Sequence, residues 1–377
     1  MSHPRVPTLD EIVAAARAHP GLRAKHPIAL VAEIFGGTDW AAGPGDDGAI
    51  VEFDAAGAGS GPPDPTVDRN RLRGDGIDGR EHSGDRDRSH PMVVPAAVVV
   101  GGEAMLPAFV QADPFAAGVA AMLTNVNDLA AMGAEPLALV DTIVGPEDVA
   151  RRALEGLRRA SALYDVPVVG GHLTIHHGPP ALSAFGVGRA TPGRALSVTR
   201  AAPGQRLLLA GCVEGAMRAD FPFFGSFDQR GSELAGDVRL LAGLAREGVA
   251  VAAKDVSMAG ILGSLGMLLE HGGLGVTVDL DALPRPAGVG LIDWLGCFPC
   301  VVFLVCAARG RESECARRFH DRGLAAEVIG TLDDSGRLRV SAGGATATVL
   351  DVRTEPVTGL RRGAPPPPAG GAGPPAP

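Results

Sequence analysis

Residues 114–132 place the strongest constraint on any fold this chain can adopt. Phe115, Ala116, Val119, Met122, Leu123 and Val126 recur near a period of 3.6, and Leu129 and Met132 continue the stripe. Asp113 followed by Pro114 supplies an N-cap and a first turn with its φ already set, and Gly133 fits a stop. The segment is predicted to be one helix. Its last part, Asn125-Val-Asn-Asp-Leu-Ala-Ala-Met-Gly-Ala134, puts carboxamides and a carboxylate beside a surface of small apolar side chains. Asn125 and Asp128 lie three apart and share a side, so the helix must pack closely while both groups face a common space.

With 377 residues, 46% hydrophobic and 20% charged, the chain can bury the cores of two ordinary domains. A net charge of -9 argues against a polyanion-binding surface, so no nucleic-acid partner is expected. The start, Met1 to Arg5 followed by polar and helical residues, does not resemble a signal peptide, and no apolar run reaches membrane-spanning length. The expected setting is cytoplasmic, away from a membrane. The five cysteines, Cys212, Cys297, Cys300, Cys306 and Cys315, are then expected to be reduced. Cys297-Phe-Pro-Cys300 has CxxC spacing but lacks the second pair or the histidines of a zinc site. Among 34 basic residues only Lys25 and Lys254 are lysine, which marks both for attention.

Residues 8–34 carry helical spacing broken near His19-Pro20-Gly21, with Thr8 and Glu11 forming a capping box. Gly43-Pro-Gly-Asp-Asp-Gly48 reads as a loop feeding a strand at Ala49–Phe53. Residues 55–91 are dominated by Gly, Pro, Asp and Arg, which predicts a disordered insertion in a hairpin. Strands are then expected at 92–101, 137–144, 166–170 and 180–190, with a helix at 146–163. After Pro203-Gly204 a second set follows, with strands at 206–211, 274–280, 300–307 and 324–331, helices at 232–247, 258–271 and 310–322, and short strands to about 350. The alternation predicts an α/β chain of two domains, 1–192 and 200–355, ending in an unstructured Pro/Gly tail at 363–377.

Acidic residues recur at the ends of these elements: Asp46 and Asp47 in the Gly-rich loop, Glu103 just after a strand, Asp128 on the helix, and Asp255 before helix 258–271. Each alone reads as a cap or turn residue. Gathered together they would repel unless a divalent cation neutralised them, and oxygen-only sites suit Mg²⁺, which also favours substrate phosphates. Both lysines follow alanine, which excludes a P-loop, and neither the dinucleotide glycine fingerprint nor the kinase catalytic loop is present. Gly170-Gly171-His172, directly after the Val166–Val169 run of the strand, is a place where backbone could approach a ligand. His176 and His177 sit on no Glu-containing helical motif and read as solvent-facing.

Taken in order, these residues resemble the AIR synthase (PurM)-like superfamily, which includes thiamine-monophosphate kinase, selenophosphate synthetase and the hydrogenase-maturation carbamoyl dehydratase. Gly45-Asp46-Asp47-Gly48-Ala49 resembles its Gly-Asp-Asp loop, and Asn125 to Ala134 resembles its most specific helix. Val169-Gly170-Gly171-His172 matches the glycines of its Gly-Gly-acid turn, and Lys254-Asp255-Val-Ser-Met-Ala-Gly260 resembles its Asp-hydrophobic-Ser-Asp-Gly segment. Glu103, His172 and Met258 depart from the pattern, and the chain is most similar to the AIR synthase-related subgroup. The resemblance covers residues 8–355 outside the insertion and implies an N-terminal domain that pairs its sheet across a homodimer. A C-terminal α/β domain would close a cleft holding ATP and Mg²⁺.

It implies ATP-dependent phosphoryl transfer to an oxygen, often of an amide, of a small-molecule substrate, with a nitrilase-type pathway enzyme as a further partner. Asp46, Asp47, Glu103, Asp128 and Asp255 would then serve metal, with Asp128, Lys25 and Lys254 as catalytic residues and the lysines meeting phosphate charge. Gly45, Asn125, Asn127, Gly170, Gly171 and His172 would position the cofactor. Two other readings stay open. Thiamine-monophosphate kinase activity is weakened by His172 and Met258 standing where acids are expected; a nucleotide-binding subunit without turnover is weakened by the acids that are kept.

Overall fold

The computed structural model describes residues 6–35, 46–53 and 96–360; the insertion 55–91, the tail 363–377 and Gly45 lie outside the described residues. Three helices come first, α1 (Leu9–Ala18), α2 (Pro20–Arg23) and α3 (Ala29–Phe35). α1 begins on the expected capping box, the Thr8 hydroxyl accepting from the Glu11 N–H and the Glu11 carboxylate accepting from the Thr8 N–H.

The first sheet holds β1 (Ala49–Phe53), β2 (Ala96–Met105), β3 (Glu135–Gly145), β4 (Val168–Ile175) and β5 (Ala181–Ala190) in the order β1-β2-β5-β3-β4. β1 and β2 are antiparallel, with Ala49 opposite Val100 and Phe53 opposite Ala96. Asp47 therefore lies at the end of this ribbon near Gly101 to Glu103, and the connection 54–95 leaves from the other end. The helices of this half are α4 (Pro107–Ala112), α5 (Pro114–Ala131) and α6 (Glu147–Tyr164). Asp113 caps α5 by accepting from the Ala116 N–H at 3.0 Å. Gly133 takes φ +66° beyond its end, the left-handed turn glycine adopts without strain. α5 and α6 cross at backbone contact: a Cβ on Gly118 would lie 2.0 Å from the Ala153 carbonyl oxygen, and one on Gly156 2.1 Å from that of Phe115.

The second half contains β6 (Arg206–Gly211), β7 (Ala216–Met217), β8 (Phe223–Gly225), α7 (Phe227–Arg230), α8 (Leu234–Arg246), β9 (Ala250–Asp255) and α9 (Gly260–Glu270). β10 (Gly275–Asp279), α10 (Leu291–Gly296), β11 (Phe298–Pro299), β12 (Val302–Ala307), α11 (Glu312–His320), β13 (Ala325–Asp333), β14 (Arg337–Ala342) and β15 (Ala345–Asp351) complete it. Its main sheet runs β15-β14-β10-β13-β6-β12-β9, beside a small sheet β11-β8-β7. The mixed α/β class is as the sequence predicts. No described helix is long and apolar enough to cross a membrane.

One core joins the halves. Met122, Leu123 and Val126 of α5 and Leu157 of α6 pack in the same cluster as Leu241 and Leu244 of α8 and Phe303 and Val305 of β12. A second core lies beyond the main sheet, where Leu207, Leu304, Ile261, Leu265 and Trp294 meet Ile12 of α1. The sequence grouping of 1–192 therefore needs correcting at its start: α1 and α2 rest on the second half because their apolar stripe fits the face of α9 and α10. Gly21 is so close that a Cβ there would lie 2.3 Å from the Met258 carbonyl oxygen, and His19 Nε2 is 2.9 Å from that of Gly296.

The crossing of α5 and α6 gives a direct test. In Gly118→Ala the new methyl meets a main-chain carbonyl, which no rotamer change can move, so a loss of about 3 kcal/mol is expected. A urea midpoint lowered accordingly at unchanged m-value checks it; an unchanged midpoint would mean the two helices separate freely.

Candidate functional site

Three carboxylates from distant parts of the chain meet where the two halves join. Asp47 comes from the turn entering β1, Asp128 from the last turn of α5 and Asp255 from the end of β9. One ligand oxygen of each lies within 4.8 Å of the others. The backbone delivers them for separate reasons. α5 has no solvent face near its end, where Asn125 to Ala131 are all buried, so Asp128 is held by a helix that cannot turn. Gly101 of β2 lies beside both, a Cβ there meeting the Asp47 carbonyl oxygen at 3.4 Å and the Asp128 Cβ at 4.0 Å, ordinary contact distances. Asp255 ends β9, and the chain then turns through Gly260 at φ +69° into α9, the Ser257 N–H donating to Ser264 Oγ at 3.0 Å.

Lys254 is the centre's cation. Its ammonium donates to Asp255 Oδ1 at 2.6 Å and to Asp47 Oδ1, while the Asp255 N–H donates to Asp47 Oδ2 at 3.3 Å. Lys254 is only 6% exposed and Asp255 2%, so these charges interact in a largely dry space. Burial pushes Asp47 up to about 7, against the Lys254 ammonium and with help from the charge of Asp255. Burial, then Asp255, Asp47 and Glu103, hold Asp128 well above the usual carboxylate range. Burial works against the Lys254 ammonium, yet Asp255, Asp47 and Asp128 outweigh it and keep that group charged. Glu103 is also raised, by burial first, with Lys25 opposing.

Several expected site residues do other work. Asp46 is taken by the fold: its carboxylate accepts from Ser197 Oγ at 2.6 Å and from the Val198 N–H at 2.7 Å, tying the loop to the turn that opens the second half. Asn125 does not share the space of Asp128. It locks α5 to the first sheet, donating to the carbonyls of Ala121 and Ala184 and accepting from the Gly186 N–H at 2.9 Å. Three positions along a helix separate two side chains enough for one to face the sheet and the other the joint. Asn127 donates to the Cys300 carbonyl at 3.0 Å, bridging the halves.

Gly170, Gly171 and His172 form no turn but lie inside β4, an exposed edge strand paired to β3. Glycine at 171 is explained by packing, since a Cβ there would lie 2.5 Å from the Asp141 carbonyl oxygen. Glu103 lies within β2 rather than after it, since that strand runs on to Met105. Lys254 is bound between carboxylates instead of standing free for phosphate. The CxxC pair is inert: burial pushes both thiols up to about 12, Cys297 donates to the Trp294 carbonyl, and Cys300 lies 3.7 Å from the Tyr164 hydroxyl.

Sequence reasoning missed β9 and the partners of Asp46. A signal for β9 was present in Val249-Ala-Val-Ala-Ala-Lys-Asp after Gly248, weakened because alanine fills the places where β-branched residues usually mark a strand. The donor set suits a hard divalent cation, being oxygen alone and short of positive charge. Two buried polar atoms beside the ligands, Asn127 Oδ1 and Ser257 Oγ, have no hydrogen-bond partner among the described residues.

Comparison with known proteins agrees with this geometry. Residues 91–190 match the family described as AIR synthase related protein, N-terminal domain, and residues 224–343 match its C-terminal domain. An uncharacterized protein of Synechocystis sp. is 34% identical over 266 residues, covering 70% of this chain and 82% of that protein. The chain belongs to the AIR synthase-related family. Among solved structures, Thermotoga maritima PurL complexed with ATP superposes on 70% of this AIR synthase-related chain at a TM-score of 0.61 and 19% identity. The match spans only 44% of that PurL chain. Thiamine-monophosphate kinase from Stenotrophomonas maltophilia superposes on 66% of the chain and 86% of its own length, at a TM-score of 0.52 and 22% identity. Both likenesses are of fold.

The buried acids make stability depend on pH. Asp46, pushed up to about 6 by burial, and Asp47, at about 7, sit above the ordinary 3.8, so the folded chain binds more protons than the unfolded one in that interval. Stability is then lost as pH rises. In chelator, the melting temperature is expected to fall from about pH 5 to about pH 8, and Asp47→Asn to flatten the slope. A rising slope, or the same slope in the variant, would contradict the assignment.

Proposed function

We propose that this AIR synthase-related protein is an ATP- and Mg²⁺-dependent enzyme that transfers a phosphoryl group to an oxygen, such as an amide oxygen, of a small-molecule substrate. The observation that carries the reading is the convergence of Asp47, Asp128 and Asp255 with their oxygens within 4.8 Å, served by a single bonded lysine. Asp47, Asp128 and Asp255 would hold the metal. When bound, a divalent cation supplies charge neutralisation for phosphate oxygens and orients them. The protein's own share is positioning. Asp128 is fixed by an enclosed helix, Asp255 by a strand end, and Asp47 by a loop whose neighbour Asp46 is pinned to the second half. Lys25, whose charge opposes the raised pKa of Glu103, would meet phosphate charge.

ATP as the phosphoryl donor is supported by the shared fold of PurL, which has been solved with ATP. Thiamine-monophosphate kinase activity fits less well, because His172 lies on the exposed edge of β4 and Met258 is 40% exposed beside α2, where the resemblance expects acids. ATP with Mg²⁺ at a hundredfold over Kd is expected to stabilise the protein by about 2.7 kcal/mol, read as a raised melting temperature. Asp128→Asn is expected to abolish the shift. A wild-type protein indifferent to ATP and Mg²⁺ would sink the reading.

The reading includes a homodimer. α5 covers one face of the first sheet, while the opposite face exposes Val51, Val100, Val140, Val144 and Phe185. Charge at its margin is already paired, Arg189 with Glu135 at 2.7 Å, so the patch can meet its own copy about a two-fold axis without burying a lone charge. Light scattering should give twice the chain mass for the wild type and the chain mass for Phe185→Arg; a wild-type monomer would remove the dimer from the proposal.

A further inference from the structure

Cationic work in this chain is done by arginine, except at one place. Of 34 basic residues only Lys25 and Lys254 are lysine, and Lys254 lies in the carboxylate centre. Asp237, a buried acid away from the centre, is instead met by guanidinium, held by Arg230 at 2.7 Å and Arg322 at 2.8 Å. The two cations differ in shape. Guanidinium is a broad planar fork, whereas ammonium is a compact point charge that can fit between two carboxylates much as a small metal ion does. Lys254 does this, bonded to Asp47 and to Asp255, while Asp128 is the carboxylate it does not bond.

The charge count is informative. Metal binding takes carboxylates in their deprotonated form, so Asp47, Asp128 and Asp255 would bring three negative charges against the one positive charge of Lys254, which leaves two for a single divalent cation to cancel. A second divalent cation would have to expel the ammonium or leave an excess of two positive charges in a buried space, which is costly. Arginine could not take the same place, since its fork would force the carboxylates apart. From these contacts we infer that Lys254 is a covalently tethered counter-ion standing in for a second metal between Asp47 and Asp255. The centre therefore takes one divalent cation, adjacent to Asp128.

The inference rests on the metal reading above, and the test separates the two. Mn²⁺ binding to the full chain, without nucleotide, is counted by equilibrium dialysis with electron paramagnetic resonance of the free ion. The wild type is expected to bind one Mn²⁺ per chain and Lys254→Met two. In chelator the variant should melt below the wild type and regain stability more steeply with added Mn²⁺. The double variant Asp47→Asn, Lys254→Met removes one charge of each sign and should return to one Mn²⁺. An equal or lower count in Lys254→Met than in the wild type overturns the inference, while a non-zero wild-type count keeps the metal reading. Counts of zero in both overturn the two together. A Lys254→Met chain that Mn²⁺ does not restore to the folded state also overturns the inference.

Discussion

The structure depends on enclosing one helix. α5 is apolar or small on nearly every side over its last half, so no arrangement that leaves it on a surface is stable. The first sheet covers one side, α6 crosses another at backbone contact, and α8 and β9 of the second half close the rest. Enclosure makes the two halves one cooperative body, as the shared core of Met122, Val126, Leu241 and Phe303 indicates. It also fixes where polar groups can go. Asn125 spends its amide on the sheet and Asn127 donates across the joint to the Cys300 carbonyl, while Asp128 faces the carboxylate centre.

Two other buried acids, Asp237 and Glu270, are satisfied by the fold itself, which gives the joint its meaning. Asp237 has two arginines. Glu270 accepts from the N–H groups of Val357, Thr358 and Gly359 and from the Thr358 hydroxyl, so its charge is spread without any cation. At the joint three carboxylates share one ammonium, and two of them have raised pKa values as a result of burial and mutual repulsion. Asp237 and Glu270 need nothing beyond the chain, whereas the group at the joint is short of positive charge and suits a cationic ligand. The contrast is stronger than the clustering alone.

Much of this was legible in the sequence because it is written in local chemistry. Thr8 with Glu11, Asp113 with Pro114, and Gly133 mark helix ends by capping rules that hold whatever the tertiary context, and the structure uses all three. Asp47, Asp128 and Asp255 could be nominated because acids at element ends have few other reasons to recur. What the sequence did not reveal was direction. Asp46 and Asp47 are neighbours of the same type, and only the position of Ser197 decides that one ties the loop and the other faces the joint. Gly170 and Gly171 looked like a turn, and became strand because β3 supplied a partner and Asp141 needed the room. Lys254 looked like a phosphate ligand because its two carboxylate partners come from segments that only the fold brings together.

The ribbon of β1 and β2 has a consequence of another kind. Asp47 enters it at one end, and residues 54–95 leave it at the other, beyond the pairing of Phe53 with Ala96. Five residues of strand put roughly 17 Å between the two. The carboxylate centre therefore stands at the end of the ladder where Ala49 pairs with Val100. A slip of one residue between β1 and β2 would carry Asp47 about 3.3 Å along the ribbon and away from Asp128 and Asp255, so the register of this short ladder is itself part of the site.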